Sequence, residues 1–241
     1  MSGAAALRAL HHGRAAGDPL VLPGPWDAAS ARVFADAGFE ALATPSAGVS
    51  AALGFEDGQG TPPAEMFAAV ARIARAVDVP VTADVEAGYG LPAAELVERL
   101  LAAGVAGCNL EDTDPATRRL RDPHEQADYL AAVRAAAGAD LVLNARVDTF
   151  LRGDRTLAEA VARGRLYAEA GADCLYPITA PPELLADFRE QTGLPVNALC
   201  RAGSSSPREL GAFGATRVTF GGTLQEQAMH VLAETARGLR G

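Results

Sequence analysis

Four times along the chain a helix-like tail breaks at a glycine and resumes as a short apolar run: "ADAGFEALAT", "LAAGVAGCNLED", "AEAGADCLYP" and "GAFGATRVTF". The glycines are Gly38, Gly104, Gly171 and Gly214, each where a helix would close on a left-handed residue. The strand that follows lies within the few residues of an ordinary αβ loop. Between these joints stand four more apolar runs behind polar or proline-marked turns: "PLVLPGPWD", "VPVTADVE", "ADLVLNARVD" and "LPVNALC". Stretches such as "PAAELVERLLAAG" and "LAEAVARGRLYAEAG" carry their apolar residues at helical spacing. Interleaving predicts about eight strands alternating with amphipathic helices, an α/β chain closed as a single (β/α)8 barrel of the TIM type. The barrel is expected to take in residues 1–241 as one domain, with residues 1–18 a short N-terminal helical segment. A doubly wound sheet is the competing arrangement, but no strand leads into a complete G-x-G-x-x-G; Gly88 and Gly90 supply a fragment of one.

Composition fits this picture and narrows the chemistry. With 49% hydrophobic and 21% charged residues, the chain has material for a large core and no disordered signature. A net charge of −9 argues against nucleic acid or an anionic membrane as partner, since both call for a basic face. No apolar run reaches the length of a membrane span, and no apolar leader follows a basic start, so a cytoplasmic location is expected. Cys108, Cys174 and Cys200 are odd in number and lie in or beside apolar runs, which suits buried free thiols. His11, His12, His124 and His230 fall in the N-terminal segment or on helical stretches, where packing or surface roles are expected. All 21 basic side chains are arginine. Without lysine there is no Schiff base to a carbonyl substrate, and any enolate needs a metal or arginine to hold its charge.

Active sites of such barrels gather at the carboxyl ends of the strands. The polar residues there are Asp27, the "TPSAG" stretch at 44–48, Asp84 and Glu86, Glu111 and Asp112, Arg146 and Asp148, Tyr176, Asn197 and Arg201, and the "GGT" at 221–223. Asp84 and Glu86 are two apart and share one face of a strand. Asp57, in the long loop after strand two, can reach the same rim. So many acids around one arginine suit a hard divalent cation bound through oxygens and retained waters. Taken singly, Asp27, Asp112 or Asp148 also read as helix N-caps, and Arg146 as a structural arginine bridging carboxylates. Gly221 and Gly222 read equally as a phosphate-binding turn or a tight turn.

"TPSAGVSAALGFEDG", "DVEAGYG", "LLAAGVAGCNLED" and "LVLNARVDTF", in this order and spacing, resemble the isocitrate lyase and phosphoenolpyruvate mutase superfamily from about Val21 onward. The resemblance implies a barrel enzyme that uses Mg2+ (or Mn2+) on 2-oxo acids or on substrates that release one as an enolate. It implies Asp84 as the principal metal acid, with Glu86, Glu111 and Asp57 completing the set. Arg146 would bind a substrate carboxylate or the leaving group, and the amides of Ser46, Ala47 and Gly48 the pyruvyl carboxylate. A homodimer or homotetramer is compatible with this reading, though no feature of the sequence carries it.

The chain departs from the family pattern in three places. Lyases of the family carry a cysteine proton donor within a lysine-lysine-cysteine-glycine-histidine stretch after strand four; here that loop reads "TDPATRRLRDP" and holds no thiol. Pro45 takes the place of the usual serine after strand two, and Glu86 that of an aspartate. The resulting expectation is a Mg2+-dependent carbon–carbon lyase that decarboxylates or splits a small 2-oxo carboxylate. Tyr89 or water would protonate the enolate, Arg118 and Arg119 would close the loop over the substrate, and Asn197 would contribute to binding. The alternatives are a phosphonopyruvate-type P–C bond hydrolase or mutase, and a carboxylate-binding barrel without turnover.

Overall fold

The computed structural model describes residues 3–15 and 17–240. Its strands are β1 (Leu20–Val21), β2 (Leu42–Thr44), β3 (Val81–Asp84), β4 (Gly107–Glu111), β5 (Val142–Val147), β6 (Cys174–Pro177), β7 (Asn197–Leu199) and β8 (Arg217–Thr219). The helices are α1 (Gly3–Leu10), α2 (Ala28–Asp36), α3 (Ser46–Leu53), α4 (Pro63–Ala74), α5 (Ala93–Ala102), α6 (Pro123–Ala137), α7 (Thr149–Arg152), α8 (Leu157–Glu169), α9 (Leu185–Thr192), α10 (Pro207–Ala212) and α11 (Thr223–Gly238). Every strand pairing is parallel, in two arcs ordered β2-β3-β4-β5-β6 and β1-β8-β7. Shorter contacts, including a parallel bridge between Leu175 and Val196, close the arcs into a barrel. Leu175 N–H donates to Pro195 O at 3.0 Å on one seam, and Ala43 N–H to Pro23 O at 3.1 Å on the other. β1 is shorter than its apolar run because Pro23 and Pro25 remove two of the donors a longer ladder would need.

Gly38, Gly104, Gly171 and Gly214 all sit at positive φ between a helix and the next strand, as their spacing predicts. The main apolar core lies between the strands and the surrounding helices, built on Leu42, Val70, Leu96, Leu100, Leu143 and Leu175 among others. A second cluster, Leu7, Leu20, Leu22, Ala41, Ala43, Ala106 and Val142, fills the closed end of the barrel, where α1 acts as a plug. Cys108, Cys174 and Cys200 are buried free thiols. Among the described residues no helix is long and apolar enough to cross a membrane. Helix α11 buries none of its residues and leaves Met229, Val231 and Leu232 exposed.

Candidate active site

The carboxyl ends of the strands surround a cleft of about 500 Å3. Its walls include Ser46 and Ala47 after β2, Asp84 on β3, Arg146 on β5 and Tyr176 on β6. Asp57, Arg201, the Gly221–Gly222 turn and Glu226 complete the rim. Helix α3 starts here behind Pro45, with no side chain capping its first amides. Uncapped N–H groups at a helix start are anion ligands, and their dipole favours a carboxylate.

Of the two arginines in the cleft wall Arg146 is the less exposed, and acids fix it on two sides. Its Nε donates to Asp148 Oδ1 at 2.6 Å and its Nη2 to Asp148 Oδ2 at 2.8 Å, while Glu111 forms a short ion pair with the same guanidinium. Asp148 is held in turn by Thr113 Oγ1 and by its own N–H, which donates to Asp112 Oδ1 at 2.8 Å. Asp112 is fully buried and accepts from Tyr167 Oη at 2.7 Å and from Arg163 at 3.2 Å. The two partner acids hold Arg146 charged despite its burial. The bridging-arginine reading therefore describes its contacts, and its place in the cleft wall leaves it available to a ligand as well.

The four acids expected around a metal divide into two kinds. Burial, with help from Asp148, Asp84 and Glu86, pushes the Glu111 carboxyl upward, and Glu111 is taken up by Arg146. Asp57, Asp84 and Glu86 take part in no ion pair among the described residues. Burial pushes Asp84 up, opposed by Arg146. Burial, then the charges of Asp57 and Asp84, push Glu86 up to about 7. Glu86 is 2% exposed, adopts φ 52°, and accepts from the Gln59 N–H and from Tyr89 Oη at 3.1 Å. It thereby fastens the loop that carries Asp57 to the end of β3.

Uncompensated carboxylates this close to one another form an all-oxygen donor set suited to Mg2+ or Mn2+. Among the described residues no three His, Cys, Asp or Glu side chains cluster tightly enough to clasp an ion directly. A small cation that keeps its waters suits such a set, in which Asp84 and Asp57 line the cleft and Glu86 is buried.

Several expected roles fall elsewhere. Tyr89 does not line the cleft: its hydroxyl is committed to Glu86, its ring packs edge-on against Phe67 at 6.2 Å, and burial pushes its pKa far above the usual phenol. Asn197 lies inside the barrel, where its Nδ2 donates to Thr219 Oγ1 at 2.9 Å. Arg118 and Arg119 are exposed, and Arg118 leans on the 54–60 loop beside Gly58 rather than entering the cleft. Gly88 makes room for a neighbouring side chain. A Cβ there would meet Tyr129 Oη at 2.6 Å, so the glycine admits that tyrosine, whose hydroxyl donates to Leu91 O at 2.9 Å. Asp27 is a helix cap in a capping box with Ser30, not a rim acid. β3 ends at Asp84, so Glu86 lies beyond it in a left-handed turn rather than on the strand face expected for the pair, and alternation along β4 marks Asn109, two residues before Glu111, as an interior group not singled out from sequence.

Residues 7–240 match the family model described as phosphoenolpyruvate phosphomutase. A crystal structure of a Burkholderia cenocepacia J2315 protein superimposes with a TM-score of 0.90 at 42% identity, covering 98% of this chain and 99% of that one. The 2-methylisocitrate lyase of Bacillus subtilis (strain 168) is 30% identical over 75% of this chain and 62% of its own. Oxaloacetate acetylhydrolase, solved with its product oxalate, superimposes with a TM-score of 0.88 at 28% identity over 99% of this chain and 87% of that one. Fold, rim and family model agree: the chain belongs to the isocitrate lyase and phosphoenolpyruvate mutase superfamily.

Proposed function

We propose that the protein is a Mg2+-dependent lyase that breaks a carbon–carbon bond, by decarboxylation or retro-aldol cleavage, in a small 2-oxo dicarboxylate or a related adduct. The observation that carries this reading is the cleft itself, whose lining brings the unpaired acids Asp84 and Asp57, the uncapped amides at the start of α3 and the doubly anchored Arg146 together. Asp84, with Glu86 and Asp57 through water, would hold the ion, which supplies the Lewis acidity that stabilises negative charge growing on a 2-oxo oxygen. The α3 amides of Ser46, Ala47 and Gly48 hold the substrate's 2-oxo carboxylate. Arg146, fixed by Asp148, orients the distal carboxylate over the scissile bond. Tyr176, in the cleft wall with its pKa pushed up to about 12 by burial, keeps its proton at neutral pH and is placed to return one to carbon. It takes over the role expected of Tyr89.

The names of the similar proteins support the substrate class: an oxaloacetate-cleaving enzyme and a 2-methylisocitrate lyase both act on such carboxylates. The test is a screen of oxaloacetate, phosphonopyruvate and 2-methylisocitrate with Mg2+, following release of pyruvate and of oxalate and their loss with EDTA. Turnover of oxaloacetate or 2-methylisocitrate supports the lyase. Turnover of phosphonopyruvate alone moves the protein to P–C bond chemistry, and thermal stabilisation by oxalate without any turnover makes it a binding protein.

A further inference from the structure

Beneath the cleft the barrel interior is polar where barrels of this kind usually place branched aliphatic side chains. Asp84, Asn109, Asn144 and Cys174 stand in register across β3, β4, β5 and β6, and on the opposite wall Asn197 is in register with Arg217. Arg217 is fully buried, yet no described ion pair includes it. A buried guanidinium without a carboxylate partner is costly, and an aliphatic side chain would fill the same volume at lower cost.

Its contacts lead from the closed end of the barrel toward the cleft. Nη1 faces His11 Nε2 at 3.5 Å, and Nη2 donates to Asn109 Oδ1 at 3.1 Å. His11 sits just beyond α1, with its Nδ1 2.7 Å from Leu7 O. That contact puts the ring proton on Nδ1 and leaves Nε2 as an acceptor for Arg217. Asn109 Oδ1 also accepts from Asn144 Nδ2 at 2.8 Å. Two donors on one atom identify it as the amide oxygen, and the Asn109 NH2 is then turned toward its register neighbour Asp84, where it favours the carboxylate against the upward push of burial.

We propose that Arg217 is a positioning residue for the cleft: acting through Asn109, it holds the Asp84 carboxylate in the orientation in which it meets the metal. The inference rests on the reading of Asp84 as the principal metal acid. Supports of this kind typically change metal affinity 10–100-fold when removed.

The first measurement needs no metal. In protein labelled with 15N-asparagine, with the resonance assigned by its loss in Asn109→Leu, the Asn109 side-chain amide of the metal-free wild type resists exchange with D2O. In Arg217→Met it exchanges at least about tenfold faster, and Arg217→Lys, which keeps a charged donor, recovers most of the protection. The second measurement is Mn2+ binding followed by electron paramagnetic resonance. Affinity falls about tenfold in Arg217→Met and in Asn109→Leu, and the double variant loses no more than either alone.

Unchanged amide exchange in folded Arg217→Met overturns the proposal, and so do additive losses or tighter Mn2+ binding. Should Arg217→Met fail to fold, Asn144→Ala, which leaves Arg217 in place and removes the second donor to Asn109, must speed amide exchange; if it does not, the proposal falls. A wild type that binds no Mn2+ overturns the metal assignment of the preceding section, while the amide measurement still decides the link to Arg217.

Discussion

Arg146 and Asp148, two residues apart where β5 ends, face each other in a two-pronged pair of 2.6 and 2.8 Å, so this cleft arginine is clamped by its own chain. Asp148→Ala leaves a buried guanidinium with one partner fewer and lowers stability by about 3–5 kcal/mol, read by chemical denaturation. The isosteric Asp148→Asn keeps the fold but lets Arg146 shift. Its kcat/KM on whichever substrate the screen identifies falls about 100-fold, with KM and kcat determined separately.

Asp84 is a partly buried carboxylate with no ion-pair partner among the described residues, and its neutral isostere relieves the cost of its charge. Metal-free Asp84→Asn therefore melts above the metal-free wild type, by about 1–3 kcal/mol in unfolding free energy. Adding Mg2+ at about 100 times its Kd stabilises the wild type by about 2.7 kcal/mol and leaves Asp84→Asn unchanged. A thermal melt with and without Mg2+ reads both effects.

Burial, then the Arg217 charge, lower the His11 pKa from 6.5 to about 3. The unfolded chain takes up the histidine proton below pH 6.5 while the folded one refuses it until about pH 3. The stability contributed by neutral His11 is therefore full above pH 6.5 and is lost as pH falls toward 3, to a limit on the order of 5 kcal/mol. Between pH 6.5 and 4.5 the unfolding free energy of His11→Gln falls less steeply than that of the wild type, measured by urea denaturation at each pH.

Gly88→Ala places a Cβ 2.6 Å from Tyr129 Oη at a backbone φ of 85°. The collision and the left-handed conformation together cost about 2–4 kcal/mol. Tyr129→Phe removes the colliding oxygen, so the double variant is more stable than Gly88→Ala even though Tyr129→Phe alone costs about 1 kcal/mol. Melting temperatures of the four proteins test this ordering.

The barrel was legible because its joints are periodic. Gly38, Gly104, Gly171 and Gly214 mark helix ends whatever the tertiary context, and strand alternation assigns Asp84, Glu111 and Arg146 to the inward face. What the sequence hid was partnership. Nothing in the spacing of Tyr89 tells that Glu86 takes its hydroxyl, because that contact depends on Glu86 adopting a left-handed backbone. Asn197 reads as a rim residue until Thr219, 22 positions away, claims its amide. Arg217 stands at the start of an apolar strand, and only closure of the barrel brings it to Asn109, 108 residues earlier.

The two arcs of strands meet at seams that carry no continuous ladder. Opening should begin there, so native-state hydrogen exchange resolves the five-strand arc and the three-strand arc as separate cooperative units. The cleft straddles this division: Ser46, Asp84, Arg146 and Tyr176 belong to the larger arc, while Leu199, Gly221 and Gly222 belong to the smaller. A molecule lodged between them is a clasp on an otherwise loosely buckled hoop, and catching its substrate is also how the protein tightens itself.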